Sequence, residues 1–187
     1  MSDRLRVRNF IERTLESFAR LGELEEIIAE AGGVMRRSIE GGGKIMFCGN
    51  GGSAADSQHM AAELMGRYLI ERNPMPAIAL TTDTSALTAI GNDYGYDKVF
   101  SRQVRAHGRP GDVLVGITTS GNSENVIQAA RQAREQGVFV IAMTGEGGGR
   151  LAAEADMLIA VPSGHTPIIQ QMHITVGHML CDLVESG

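Results

Sequence analysis

Residues 48–63 read Cys48-Gly-Asn-Gly-Gly-Ser-Ala-Ala-Asp-Ser-Gln-His-Met-Ala-Ala-Glu63, a glycine-rich turn running into a helical segment. Gly49, Gly51 and Gly52 let the backbone turn tightly and approach a ligand closely, and the start of the helix offers unpaired N–H groups to an anion such as phosphate. Further in, His59 and Glu63 are four positions apart, so they project from nearly the same face and could share one metal ion or one proton-transfer site. Alone, the pair reads as readily as a surface histidine beside a solvated carboxylate.

Outward from this stretch, short apolar runs at 44–48, 76–81, 112–117, 138–143 and 157–161 are each bounded by turn residues and mostly separated by helical patterns. They predict an α/β fold with five buried strands in a parallel sheet. Helices are predicted over 54–68, 85–90, 100–107, 123–136, 149–155 and 167–185. Ahead of the first strand, the apolar spacing from Leu5 to Glu40 predicts two helices, or one kinked near Leu21–Glu23. With no repeat or linker, residues 1–187 are expected to form a single domain. The helical segment 1–40 cannot make a core alone, so its apolar stripe is expected to pack on the sheet domain or on other subunits.

Composition narrows the function classes. Twenty-two acidic against seventeen basic residues give a net charge of −5, without the basic stripe of a nucleic-acid reader. The charged N-terminus is neither a signal sequence nor a membrane span, and no later segment reaches spanning length. The two cysteines, Cys48 and Cys181, form no disulfide framework, fit apolar positions and lack an activating base, so they receive no catalytic role and point to a cytoplasmic address.

A second loop, Thr118-Thr-Ser-Gly-Asn-Ser123, follows the strand at Val113–Ile117 and precedes an amphipathic helix. Its four hydroxyls and the first helical N–H groups can bind a phosphate without a basic side chain; the plainer reading is N-capping by Ser120 or Ser123. The last helix carries Gln170, Gln171, His173 and His178 among aliphatic residues, and burying such groups requires polar partners. Gln170 and His178 lie about 80° apart around a regular helix and roughly 12 Å along it. One metal spanning them would need an irregular helix start or donors from neighbouring subunits, and the latter is expected; His173 is read as structural. Asn92-Asp93 sits in a predicted connection, where turn chemistry is the plain alternative to ligand binding.

Together and in this order, Cys48-Gly-Asn-Gly-Gly-Ser53, His59-x-x-x-Glu63 with Gly66-Arg-Tyr68, Gly91-Asn-Asp-Tyr-Gly95, Phe100-Ser-Arg102, Thr119-Ser-Gly-Asn-Ser123 and Gln170-x-x-His173-x-x-x-x-His178 resemble the sugar isomerase (SIS) domain family, and within it the bacterial phosphoheptose isomerases. The likeness covers nearly the whole chain. It implies a three-layer αβα sandwich of flavodoxin or Rossmann type and a homotetramer with active sites at subunit contacts. It implies zinc, one per subunit, on His59, Glu63, Gln170 and His178. Sugar-phosphate contacts are implied at Gly51, Gly52, Ser53, Asn92, Asp93, Thr118, Thr119, Ser120, Ser123 and Gln170, with Glu63 and His178 as the catalytic pair. Thr118 stands where some relatives carry serine, and a hydroxyl is retained. The implied reaction is the ketose-to-aldose conversion of sedoheptulose 7-phosphate to D-glycero-D-manno-heptose 7-phosphate, towards ADP-heptose, lipopolysaccharide or surface-glycan heptose.

Two rivals stand beside this reading. One is a non-catalytic SIS protein that binds a sugar phosphate or a partner, as in the DnaA initiator-associating cousins, which resemble the chain less at the metal positions. The other is a nucleotide-binding domain suggested by Gly49-x-Gly51, weakened because position 54 is Ala and the full G-x-G-x-x-G spacing is missing.

Overall fold

The computed structural model describes residues 1–187 as helices around one five-stranded sheet. The strands are β1 (Ile45–Gly49), β2 (Ala77–Ala79), β3 (Val113–Thr118), β4 (Phe139–Thr144) and β5 (Met157–Ala160). Every adjacent pair is parallel, in the order β2-β1-β3-β4-β5. The helices are α1 (Asp3–Ala19), α2 (Glu25–Glu40), α3 (Gly52–Met65), α4 (Thr84–Tyr94), α5 (Val99–His107), α6 (Glu124–Glu135) and α7 (Thr166–Glu185). A 3-10 turn at Leu21–Leu24 separates α1 from α2, resolving the kink into two helices, and the segment Gly149–Glu154 is also 3-10.

Covered on both faces, the central strands are buried almost throughout and apolar up to the threonines that end β3 and β4. Alternation divides them between two cores. Ile45, Phe47, Val113, Val115, Ile117, Ile141 and Met143 pack against α2, α3 and α7. Met46, Cys48, Leu114, Val140 and Ala142 pack against α5 and α6. Three layers result, as the resemblance implies. Burial pushes the thiols of Cys48 and Cys181 up to about 12, which keeps both protonated and inert.

One expectation changes. The connection expected to hold Asn92-Asp93 is instead the last turn of α4, which runs on to Tyr94. Within segment 1–40, α2 belongs to the chain's own core through Ala31 and Met35, and only α1 buries nothing. No helix is long and apolar enough to cross a membrane.

The strand order reverses direction between β1 and β3. In an open parallel sheet that switch point opens a crevice at the carboxyl ends of the strands, the place where ligands settle.

Candidate active site

The turns leaving β1 and β3 meet at this crevice. Gly51 adopts φ 57°, a left-handed conformation natural to glycine, and throws the chain into α3. The opposite wall comes from α7, because a side chain on Gly52 would collide with the carboxamide of Gln170. Between them lies a cavity of about 150 Å³ lined by Asn50, Ser53, Thr118, Thr119, Ser120, Ser123 and Gln170.

Its hydroxyls face one another. Thr118 Oγ1 lies 2.9 Å from Ser123 Oγ and 3.5 Å from Ser120 Oγ. Ser123 is the N-cap residue of α6, yet its side chain makes no capping hydrogen bond. Ser120 Oγ instead accepts from the Asn122 N–H at 3.1 Å, an interaction local to the loop. The capping explanation therefore fails for Ser123, whose hydroxyl turns into the cavity. No lysine or arginine lines it, so an anion there would be held by hydroxyls, N–H groups and the start of α3.

Further along α3 lies a second polar cluster. His59 Nε2 is 2.9 Å from Glu63 Oε1, and His178 Nε2 is 3.5 Å from His59 Nε2. Ligand atoms of His59, Glu63 and His178 all lie within 4.8 Å of one another. The three come from one chain, whereas Gln170, whose joining with His178 was expected to need a neighbouring subunit, stands beside Gly52 and apart from them. The reason lies in how α3 and α7 run. Gln170 stands at Gly52 and Gly177 at Met60, so the helices lie side by side in the same direction and the separation of Gln170 from His178 matches that of Gly52 from His59. A regular α7 thus lines both the cavity and the donor cluster.

This donor set fits a metal ion. Two imidazoles and a carboxylate suit a tetrahedral zinc site, whose ligand atoms stand about 3.4 Å apart for bonds near 2.1 Å and which keeps a position open for substrate in enzymes. The observed spacings of 2.9 and 3.5 Å bracket that value.

Other predicted positions fall elsewhere. Asn92 and Asp93 are exposed and pair with each other, Asn92 Nδ2 donating to Asp93 Oδ1 at 2.9 Å, and neither lines the cavity. His173 is fully buried against the sheet. Cavity volume alone misleads: a space of about 370 Å³ beside α5 and α6, lined by Lys98, Arg102, Arg105 and Arg131, shares no residue with the site.

Several contributors escaped the sequence reading. Asn50, in the glycine turn, exchanges two 2.9 Å hydrogen bonds with the buried amide of Asn125 and so ties the β1 turn to α6. Asp56 sits one turn before His59. Burial pushes its carboxyl up to about 6, opposed by the positive charge available at His59, and its Oδ2 has no hydrogen-bond partner. Its half-apolar helix context gave no signal. Tyr68 stacks on His178 with ring centroids 5.6 Å apart and planes 27° apart.

The family model for the SIS domain matches residues 9–145. The phosphoheptose isomerase of Rhodospirillum rubrum is 63% identical over 97% of this chain and 96% of its own length. The chain belongs to the SIS domain family, in its phosphoheptose isomerase branch. The counterpart from Akkermansia muciniphila is 54% identical over 96% of this chain and 95% of its own. Among solved structures, the phosphoheptose isomerase of Neisseria gonorrhoeae superposes with a TM-score of 0.94 at 48% identity, each chain covered in full. Within the SIS fold, this chain therefore carries both a hydroxyl-lined cavity and a His/Glu/His cluster.

Proposed function

We propose that the chain is a ketose–aldose isomerase converting sedoheptulose 7-phosphate to D-glycero-D-manno-heptose 7-phosphate. The carrying observation is the joint placement of two chemically distinct sites along α3. The anion cavity lies at its N-terminus, and the His59/Glu63/His178 cluster begins seven residues further on, about 10 Å along the axis. An open-chain sugar gripped by its terminal phosphate extends towards that cluster with its carbonyl end. High identity to phosphoheptose isomerases over nearly the full length supports this reading over a non-catalytic sugar-phosphate binder.

The phosphate is held by the start of α3 at Gly51, Gly52 and Ser53 and by the hydroxyls of Thr118, Thr119, Ser120 and Ser123, with Gln170 closing the cavity. A neutral cradle fits this role, since N–H and O–H donors satisfy phosphate oxygens at fixed geometry. At the other end, Glu63 takes a proton from C1 and returns it to C2, while His178 carries the proton that passes between the two oxygens. The base is available because Glu63 Oε1 faces His59 while Oε2 accepts no hydrogen bond from the protein. We assign zinc to His59, Glu63 and His178, and bound there it would polarise the sugar carbonyl as a Lewis acid; Gln170, implied by resemblance as a fourth donor, stands beside Gly52 two turns back along α7 and would join them only from another copy of the chain.

The enzyme is further read as a cytoplasmic homotetramer. The support is α1, whose Leu5, Val7, Phe10, Ile11 and Leu15 stay 38–65% exposed in the single chain. Assembly would also bring Asn92 and Asp93 of one copy to the sugar of another.

The test is incubation with sedoheptulose 7-phosphate, following aldose formation before and after chelation. Turnover that is abolished by the chelator and restored by zinc is expected. No aldose from metal-loaded protein would reduce the reading to kinship of fold.

A further inference from the structure

The segment between α3 and β2 carries Tyr68, and it is tied down by a carboxylate from the far end of the chain. Glu185, in the last turn of α7, has a fully covered side chain. Its Oε1 accepts from the Tyr68 N–H at 2.9 Å, and its Oε2 accepts from Leu69 at 2.6 Å and Ile70 at 2.8 Å. Arg72 completes the group, its Nε 3.1 Å from Glu185 Oε1. The rest of the Arg72 guanidinium turns to α3, donating at 2.9 Å to the carbonyls of both Glu63 and Leu64. Those carbonyls belong to the last turn of α3, which has no helical N–H to meet them.

We propose that Glu185 and Arg72 form a positioning clamp, which holds Tyr68 against the His178 ring and fixes the turn of α3 that carries Glu63. The inference rests on His178 and Glu63 taking part in the isomerisation. Its geometry is over-determined. Three successive N–H groups converge on one carboxylate, which leaves the backbone of residues 68–70 a single arrangement. The Tyr68 ring then covers one side of His178, while His59 meets the same imidazole edge-on with centroids 5.1 Å apart. Burial alone would push the Glu185 carboxyl up, but the three N–H donors and Arg72 outweigh it and hold the group below its ordinary range, so the charge that organises the clamp persists. A buried ion pair adds little net stability compared with apolar packing, whereas it can specify one geometry. Function at the site gives a reason for such a pair here.

Glu185→Gln keeps the shape but opposes an amide N–H₂ to backbone donors. In the zinc-loaded, full-length enzyme, kcat should fall by about tenfold or more while KM stays within about threefold, because the phosphate cavity is untouched. Tyr68→Ala should give the same split, and Tyr68→Phe, which retains the stack, should restore most of kcat. Since both residues act through one ring, the double variant Glu185→Gln/Tyr68→Ala should lose no more than the worse single change. A second readout is independent of turnover: in protein with labelled histidine, the His178 ring protons lose the Tyr68 ring-current shift in Glu185→Gln. Inactive wild-type enzyme would defeat the isomerase reading itself. Active wild type with a Glu185→Gln variant of unchanged kcat, unchanged His178 resonances, or losses that multiply with Tyr68→Ala would overturn the clamp. Should Glu185→Gln fail to fold, the Tyr68 pair decides, and wild-type kcat in Tyr68→Ala overturns the proposal.

Discussion

His173 shows how little of a residue's role its type reveals. One helical turn from donors that face the crevice, it points the other way into the core and is fully buried. Neither ring nitrogen has a hydrogen-bond partner of good geometry, although the Thr144 backbone lies near enough to favour the charged form slightly. Burial dominates and pulls its pKa down from 6.5 to about 4, so the ring is neutral in the folded protein. The unfolded chain then binds a proton that the native state refuses. This cost is absent above pH 6.5, develops as pH falls through that value, and is complete below about 4, where it reaches about 3 kcal/mol at 1.36 kcal/mol per pKa unit. Denaturant titrations of wild type and His173→Phe should therefore diverge in slope between pH 6.5 and 4, the variant losing less stability on acidification. Parallel curves would show that His173 does not titrate in this window.

At the scale of elements, the legible features were those encoded by burial on two faces or by local turn chemistry. Continuous apolar runs located the five strands to within a residue or two at most ends, and β2 came out shorter than 76–81 because an edge strand pairs on one side only. Gly91 interrupts the helical pattern, so the sequence reading stops α4 at Ile90; the helix nonetheless runs through Gly91 to Tyr94, with Tyr96 and Val99 at ordinary contact distance from that position. The convergence of His178 on His59 was legible only through the family resemblance, because it depends on residues 119 positions apart on two helices lying alongside. That alignment turns on Gly177, where any side chain would strike Met60. Gly177→Ala should be absorbed by the flexible thioether. Gly177→Val should force the helices apart, cost about 1–3 kcal/mol of overpacking, and lower bound metal and turnover together. Wild-type metal content and kcat in Gly177→Val would show that the donor cluster tolerates helix separation.

The whole molecule carries an unsatisfied surface. α1 buries no residue fully and touches the core only through Phe18, and its apolar residues line one side of open grooves, one of about 220 Å³ at Phe10, Ile11 and Leu15 and one of about 570 Å³ where Phe18, with Leu21 of the following turn, meets Ile28, Met179 and Leu183 of α2 and α7. An exposed apolar stripe of this kind is what a self-complementary interface requires. Meanwhile Asn92 and Asp93, assigned to the sugar by resemblance, sit exposed on α4 and line no part of the cavity in their own chain. One assembly would account for both observations, covering α1 and presenting α4 of one copy to the crevice of the next. Phe10→Asp with Leu15→Asp should therefore lower the mass measured by light scattering. Circular dichroism should stay native, since α1 buries no residue in its own chain. If the sites are shared, kcat/KM of the dissociated form should drop by about tenfold or more, a loss of at least 1.4 kcal/mol of transition-state binding. A dissociated variant with full activity would place the complete site within one chain, and an unchanged mass would remove α1 from the interface.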